Sequence, residues 1–155
     1  MAEHETSIVV KARLEEVYNQ WTQFEEFPRF MEGVEEVRQL DDKTLFWRAK
    51  MGGAVKEWDA DIVDQTPNRR IAWKSRAGAR NAGAVLFAPT DDGTLVTLKL
   101  VYDPEGATET LGDALGVVRH KVEQALRGFK DFIEERQRAT GAWRGEIHGQ
   151  EVRKG

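Results

Sequence analysis

The stretch WRAKMGGAVKEW, residues 47–58, carries a Gly-Gly pair at its centre and a tryptophan at each end. Two glycines in that setting suit a two-residue hairpin, because tight hairpin turns use positive φ angles that glycine adopts without a steric cost. Counting outward from Gly52-Gly53 places position 47 opposite position 58. The sequence therefore predicts a cross-strand aromatic pair, Trp47 with Trp58, on one side of a two-stranded ribbon. The same register sets Arg48 opposite Glu57 on the reverse side, where opposite charges favour pairing.

Working outward, the period of two persists from Val34 to Tyr102, with further turn signals at Asp41-Asp42, Thr66-Pro67-Asn68 and Asp91-Asp92-Gly93. Ala60, Ile62, Ile71, Trp73, Ser75, Val85, Phe87, Val96, Leu98, Leu100 and Tyr102 fall on the face of the two tryptophans. Arg48, Lys50, Asp59, Asp61, Lys74, Thr97 and Lys99 fall on the other. This is the pattern of an antiparallel meander with one solvated side, and only the apolar side needs cover.

The flanking segments supply that cover. One short strand is expected at the N-terminus. Leu14, Val17, Tyr18 and Trp21 then follow helical spacing, and a second short helix is expected from Phe24 to Met31, limited by Pro28 and stopped at Gly33. Residues 108–138 place Leu111, Leu115, Val118, Val122, Ala125, Phe129 and Phe132 at three- and four-residue steps, which predicts one long amphipathic helix. Gly112 and Gly116 lie in its first half, where each costs about 1 kcal/mol relative to Ala, so a close approach or a bend is expected there. Beyond Thr140 the sequence GAWRGEIHGQEVRKG is Gly-rich and polar. The expected organisation is one domain over residues 1–139 and a flexible tail over 140–155, in which Trp143 and Ile147 are the residues able to dock.

Composition narrows the function classes. A chain of 155 residues with 40% hydrophobic and 32% charged residues has material for one core. Without cysteine it has no disulfide and no thiolate chemistry. The net charge of -4 comes from interspersed charges with no basic stripe, so nucleic acid is not an expected partner. The N-terminal apolar run is too short for a signal peptide, and no stretch approaches the roughly 18 apolar residues of a membrane span. A soluble, cytoplasmic protein is expected, as a monomer or a homodimer. With no basic amphipathic stretch, membrane contact would be at most transient.

Three segments carry a family resemblance: VYNQWTQFEEFPRFMEGVEEVRQLDD (residues 17–42), EWDADIVDQTPNRRIAWKS (57–75) and GDALGVVRHKVEQALRGFKDFIEER (112–136). They resemble the bacterial polyketide cyclase/dehydrase and lipid-transport family of the START-like superfamily, over roughly residues 4–138. The YNQWTQFEEFPRFM portion is also similar to coenzyme Q-binding proteins. The resemblance implies an α+β helix-grip fold: a curved antiparallel sheet wrapped around a long C-terminal helix, with two short helices after the first strand. In that superfamily the space between helix and sheet holds lipids, quinones, hormones or polyketide intermediates. Such a fold predicts binding better than it predicts chemistry.

Core packing explains any single inward aromatic residue. Trp21, Trp47, Trp58, Trp73, Phe87, Tyr102 and Phe129 together, under a fold that leaves an internal space, favour a lined pocket. Its expected wall comprises Trp47, Trp58, Trp73, Phe87, Leu98, Tyr102, Leu111, Leu115 and Val118, with Phe30 and Met31 as a gate. Polar atoms are expected inside at Ser75, Tyr102 and Asn81. Of these, the Tyr102 hydroxyl could equally donate to a ligand carbonyl or make a structural hydrogen bond.

No catalytic constellation accompanies the wall. His4 falls at the start of the chain, His148 in the tail, and His120 lies about 200° around the helix from Val118, toward water. Asp59 and Asp61 share the outer face with Arg48 and Lys50, where charge pairing accounts for them. No metal site and no cofactor are expected. Three functions stay open: a non-catalytic carrier of a hydrophobic small molecule, a polyketide cyclase, aromatase or dehydratase, and a protein-interaction module using Glu25, Glu26, Glu32, Glu35 and Glu36 or the tail.

Overall fold

The computed structural model describes residues 2–51, 53–103 and 111–154, with the backbone alone for Met51 and residues 111–114. Strand β1 (Ala2–Val10) leads into helix α1 (Leu14–Trp21) and a 3-10 helix (Phe24–Arg29). Six strands follow: β2 (Val34–Gln39), β3 (Thr44–Met51), β4 (Ala54–Thr66), β5 (Arg70–Gly78), β6 (Asn81–Thr90) and β7 (Gly93–Tyr102). The long helix α2 (Leu111–Arg136) comes next, then two short strands, β8 (Glu146–His148) and β9 (Glu151–Arg153).

The main sheet runs in the order β1-β7-β6-β5-β4-β3-β2, with every neighbouring pair antiparallel. Trp47 pairs with Trp58 and Arg48 with Glu57, the register expected from the Gly-Gly turn. On the outer face Arg48 donates to Glu57 at 2.9 Å and to Glu36 at 3.0 Å, tying three strands together.

The meander holds one turn that the sequence reading did not separate, between β5 and β6 at Ala79-Arg80. Gly78 makes it possible: its φ is +88°, and a Cβ there would lie 2.3 Å from the Glu57 carbonyl oxygen. Pairing of β4 with β5 also slips twice, between Asp59 and Ala60 and between Ile62 and Asp64. Bulges bend a strand and shift its side-chain parity. Here Ala60, Ile62 and then Gln65 are buried, while Val63 is turned out.

Helix α2 covers the apolar face through Val118, Val122, Leu126, Phe129 and Ile133, each at most 2% exposed. Leu115, expected in this stripe, is 37% exposed, so the buried face starts one turn later. The close approach expected at Gly116 is elsewhere, and Gly112 lies outside the residues whose surroundings are described. Gly116 faces open space, whereas a Cβ on Gly128 would sit 1.9 Å from the Phe30 carbonyl oxygen. Gly128 is what allows the helix backbone to lie against the segment after the 3-10 helix.

The segment expected as a flexible tail carries a short hairpin, residues 146–153, against the domain. Strand β8 pairs with β4 through Asp64 with His148 and Gln65 with Ile147, and β9 pairs with β8. Ile147 is fully buried. The connection is held by groups on and beside α1: Thr140 N–H donates to Gln20 Oε1 at 2.9 Å, Trp143 N–H to Thr22 Oγ1 at 3.1 Å, and Arg144 to Asn19 Oδ1 at 2.6 Å. A polar composition reads as mobile only when its hydrogen bonds have no partner on the domain, and here they have several. His4 likewise lies within β1 opposite Leu100, its Nε2 buried 3.7 Å from Glu123 Oε2.

Candidate functional site

Between the sheet and α2 lies a cavity of about 100 Å³. Its floor comes from alternate residues of the meander, Leu45, Trp47 and Ala49 on β3, Trp58 and Ile62 on β4, Ile71 and Trp73 on β5, Val85 on β6 and Leu98 and Leu100 on β7. Val122 and Ala125 of α2 close it from above, and Trp21, Phe24, Phe27 and Met31 close one side. Alternation in the strands sends every second side chain to this face, so the cavity is a direct product of the strand pattern.

Trp47 and Trp58 form its largest flat surface. Their rings stack at 5.7 Å between centroids with 8° between planes, and Phe27 packs on Trp47 at 5.6 Å. Trp21 packs against Phe27 at 5.3 Å and Phe129 at 4.9 Å. The indole N–H groups of Trp21, Trp47 and Trp58 are buried and meet no acceptor among the described residues. A buried donor without a partner costs about 1–3 kcal/mol, so this wall has hydrogen-bonding capacity the protein itself leaves unused.

Trp73 is held differently. Its Nε1 donates to Asn81 Oδ1 at 3.4 Å, while the Asn81 amide donates to Ala79 O at 3.1 Å and the Asn81 backbone N–H to Ser75 Oγ at 3.0 Å. A Cβ at Gly83 would lie 2.3 Å from Trp73 Cζ2, so glycine on the next strand is what lets this indole lie against the sheet.

The remaining polar side chains on the wall are Glu32 and Lys121. Lys121 is half-buried, its Nζ 3.5 Å from the Glu32 carbonyl oxygen. Burial among apolar groups pushes its ammonium below the usual lysine range; the Glu32 charge opposes that shift and the Lys50 charge adds to it. Gly33, with φ +88°, leaves the room the ammonium occupies, since a Cβ there would lie 2.1 Å from Lys121 Nζ.

Of the twelve residues expected at the pocket, Met31, Trp47, Trp58, Trp73 and Leu98 line this cavity. Phe30 packs instead on Phe129 and Phe132, at 5.7 and 4.8 Å. Phe87 is in the core against Tyr18, at 5.3 Å. Tyr102 is buried in the core at 2% exposure, away from the cavity wall, and Val118 is fully buried in the helix stripe. Ser75 accepts its bond from Asn81 and does not reach the wall. Leu115 is exposed, and the Leu111 side chain lies outside the described residues. Sequence reasoning missed Trp21, Phe24 and Phe27 as wall residues because nothing local says which way two short helices turn. Leu45 and Ala49 were within reach, since they stand two positions either side of Trp47.

Among the described residues no group of three or more His, Asp or Glu is placed to hold a metal ion. Among the same residues no helix is long and apolar enough to cross a membrane.

A sheet gripping one long helix over an aromatic-walled cavity defines a START-like helix-grip protein. The chain belongs to the family described as polyketide cyclase / dehydrase and lipid transport, whose model matches residues 10–130. It is 44% identical over 149 residues to an uncharacterized 17.2 kDa protein of Streptomyces lincolnensis, covering 95% of this chain and 99% of that one. In fold it is similar to a START superfamily protein from Mycobacterium smegmatis, with a TM-score of 0.78 at 12% identity over 87% of this chain and 99% of that one. It is also similar to the Zhui aromatase/cyclase from Streptomyces sp. R1128, with a TM-score of 0.67 at 18% identity over 90% and 98% of the two chains.

Proposed function

We propose that this protein binds a hydrophobic small molecule in the cavity between the sheet and α2, as a binding or carrier protein. The observation that carries the reading is the stacked pair of Trp47 and Trp58 lining an internal space that the core leaves unfilled. Interiors normally pack with few voids larger than a water molecule, so a space walled by large aromatics departs from ordinary core packing. An apolar cavity of roughly 150 Å³ accepts benzene. A space of about 100 Å³ suits a small ring or the inner end of a chain that continues through the opening.

The wall supports carriage over chemistry. Acid–base catalysis needs a titratable group within hydrogen-bond reach of the reacting atom, and the floor around the indole stack offers only the Asn81 amide. The second reading, a cyclase or dehydratase acting on a polyketide chain, draws on the family description and on Lys121 and Glu32 as titratable groups of the wall.

Native mass spectrometry of the purified protein, followed by organic extraction, tests the proposal. A stoichiometric apolar adduct, or saturable quenching of the tryptophans by an added apolar molecule, is the expected result. A protein that neither carries nor takes up any apolar molecule would overturn it. Turnover of a poly-β-keto substrate, lost on Lys121→Met, would favour the enzymatic reading.

A further inference from the structure

Lys121 differs from the protein's ion-paired cations. Arg48 is paired with Glu36 and Glu57, Arg70 with Asp64, Lys130 with Glu134 and Arg153 with Glu151. Lys121 is half-buried on the cavity wall, and among the described residues its one hydrogen-bond partner is a backbone carbonyl, that of Glu32, at 3.5 Å. An ammonium has three donors, so two are left open to water or to a ligand.

The nearby carboxylate acts on it through space without a direct contact. Glu32 Oε2 accepts from Gln124 Nε2 at 2.8 Å, and no carboxylate oxygen among the described residues comes within 4 Å of Lys121 Nζ. Lys50 adds a second positive charge near enough to affect Lys121. Lys121 thus borders the apolar cavity with the Glu32 charge nearby but with no direct ion pair among the described residues. Desolvating a charge is unfavourable unless a counter-charge meets it. Lys121 is adjacent to Val122 and one turn from Ala125, both on the cavity wall, so an anion bound at Nζ would have its apolar body directed inward.

The geometry points to a ligand that is an apolar molecule ending in a carboxylate, with that carboxylate ion-paired to Lys121 Nζ and its hydrocarbon part against Trp47 and Trp58. This rests on the binding reading above and names the ligand class for the same cavity. Gly33 is part of the arrangement, because a side chain there would occupy the ammonium's place.

Octanoate and 1-octanol share a hydrocarbon chain and differ in the charge of the head, which makes them the test pair. Each is titrated against the intact protein near neutral pH, with intrinsic tryptophan fluorescence as the readout. The wild type is expected to prefer octanoate by roughly tenfold, the size of one charge-assisted hydrogen bond in a half-buried site. Lys121→Met, which retains an unbranched side chain without the charge, is expected to abolish the preference, so that the ratio of the two affinities falls to about one. Glu32→Gln is expected to raise the preference for octanoate over octanol. Equal binding of the two probes to the wild type, or a preference that survives Lys121→Met, overturns the carboxylate assignment while leaving hydrophobic binding standing. Binding of neither probe overturns both.

Discussion

Trp47 and Trp58 lie directly opposite one another across the β3–β4 ladder, their rings stacked within 8° of parallel and neither indole N–H meeting an acceptor among the described residues. Their shared face looks into the cavity. The pair therefore contributes area and shape to the fold, while its hydrogen-bonding capacity contributes nothing within the folded chain.

That division predicts different outcomes for two substitutions at one position. Trp47→Phe keeps a ring and removes the unpaired donor, so its effect on unfolding free energy should stay within about 1.5 kcal/mol. Trp47→Ala enlarges the cavity and should cost about 3–5 kcal/mol. Urea denaturation separates them, and a Phe variant as unstable as the Ala variant would mean that the indole N–H has a partner after all.

Gly128 reverses a general rule. In an ordinary helix interior Gly→Ala stabilises by about 1 kcal/mol. Here the new methyl would meet the Phe30 carbonyl oxygen at 1.9 Å, so Gly128→Ala should destabilise by about 1–3 kcal/mol as the helix is forced off the chain beneath it. The same substitution at Gly116, which faces open space, should stabilise. Thermal midpoints of the two variants moving in the same direction would contradict this account.

Gly83→Ala acts on the cavity itself. Its methyl would meet Trp73 Cζ2 at 2.3 Å and the Lys99 carbonyl oxygen at 2.8 Å. The backbone oxygen has little freedom, so the indole must move and its bond to Asn81 must break. A shifted fluorescence maximum together with weakened binding of an apolar probe is the expected outcome, and unchanged binding would place Trp73 outside the ligand's reach.

His148 makes the C-terminal hairpin pH-dependent. Hydrogen bonds donated by its ring to Glu146 and Asp64, at 3.0 and 2.9 Å, favour the imidazolium and raise its pKa above the usual histidine value. A raised folded-state pKa contributes stability that is fully present below the unfolded value of about 6.5 and is lost as pH rises through the folded value. The difference in thermal midpoint between wild type and His148→Ala should therefore shrink on going from about pH 5.5 to about pH 8.5. A difference that grows with pH would remove the imidazolium from the account.

Much of the fold can be read in the chain because its signals are local. A Gly-Gly turn sets the register of Trp47 with Trp58, and period-two alternation assigns the faces of five of the six meander strands. The turn at Ala79-Arg80 was hidden since what requires it, the contact of Gly78 with the Glu57 carbonyl, is made between strands. Tyr102 and Phe87 have the parity of wall residues, but parity gives the side of the sheet and says nothing of position along it. Tyr102 is buried in the core, and Phe87 packs against Tyr18.

The sequence by itself determined the antiparallel meander with its long covering helix, the aromatic inner face and the pairing of β3 with β4, because each follows from the spacing of neighbouring residues, and the helix-grip arrangement was implied by the resemblance of three of its segments. The tertiary structure alone decided where the empty space falls, that Lys121 borders it with no direct ion pair among the described residues, that Gly128 and not Gly116 is the point of close approach, and that the C-terminal segment holds a docked hairpin. Those outcomes depend on contacts between residues far apart in the chain, and such contacts exist only once the sheet has bent and the helix has settled across it.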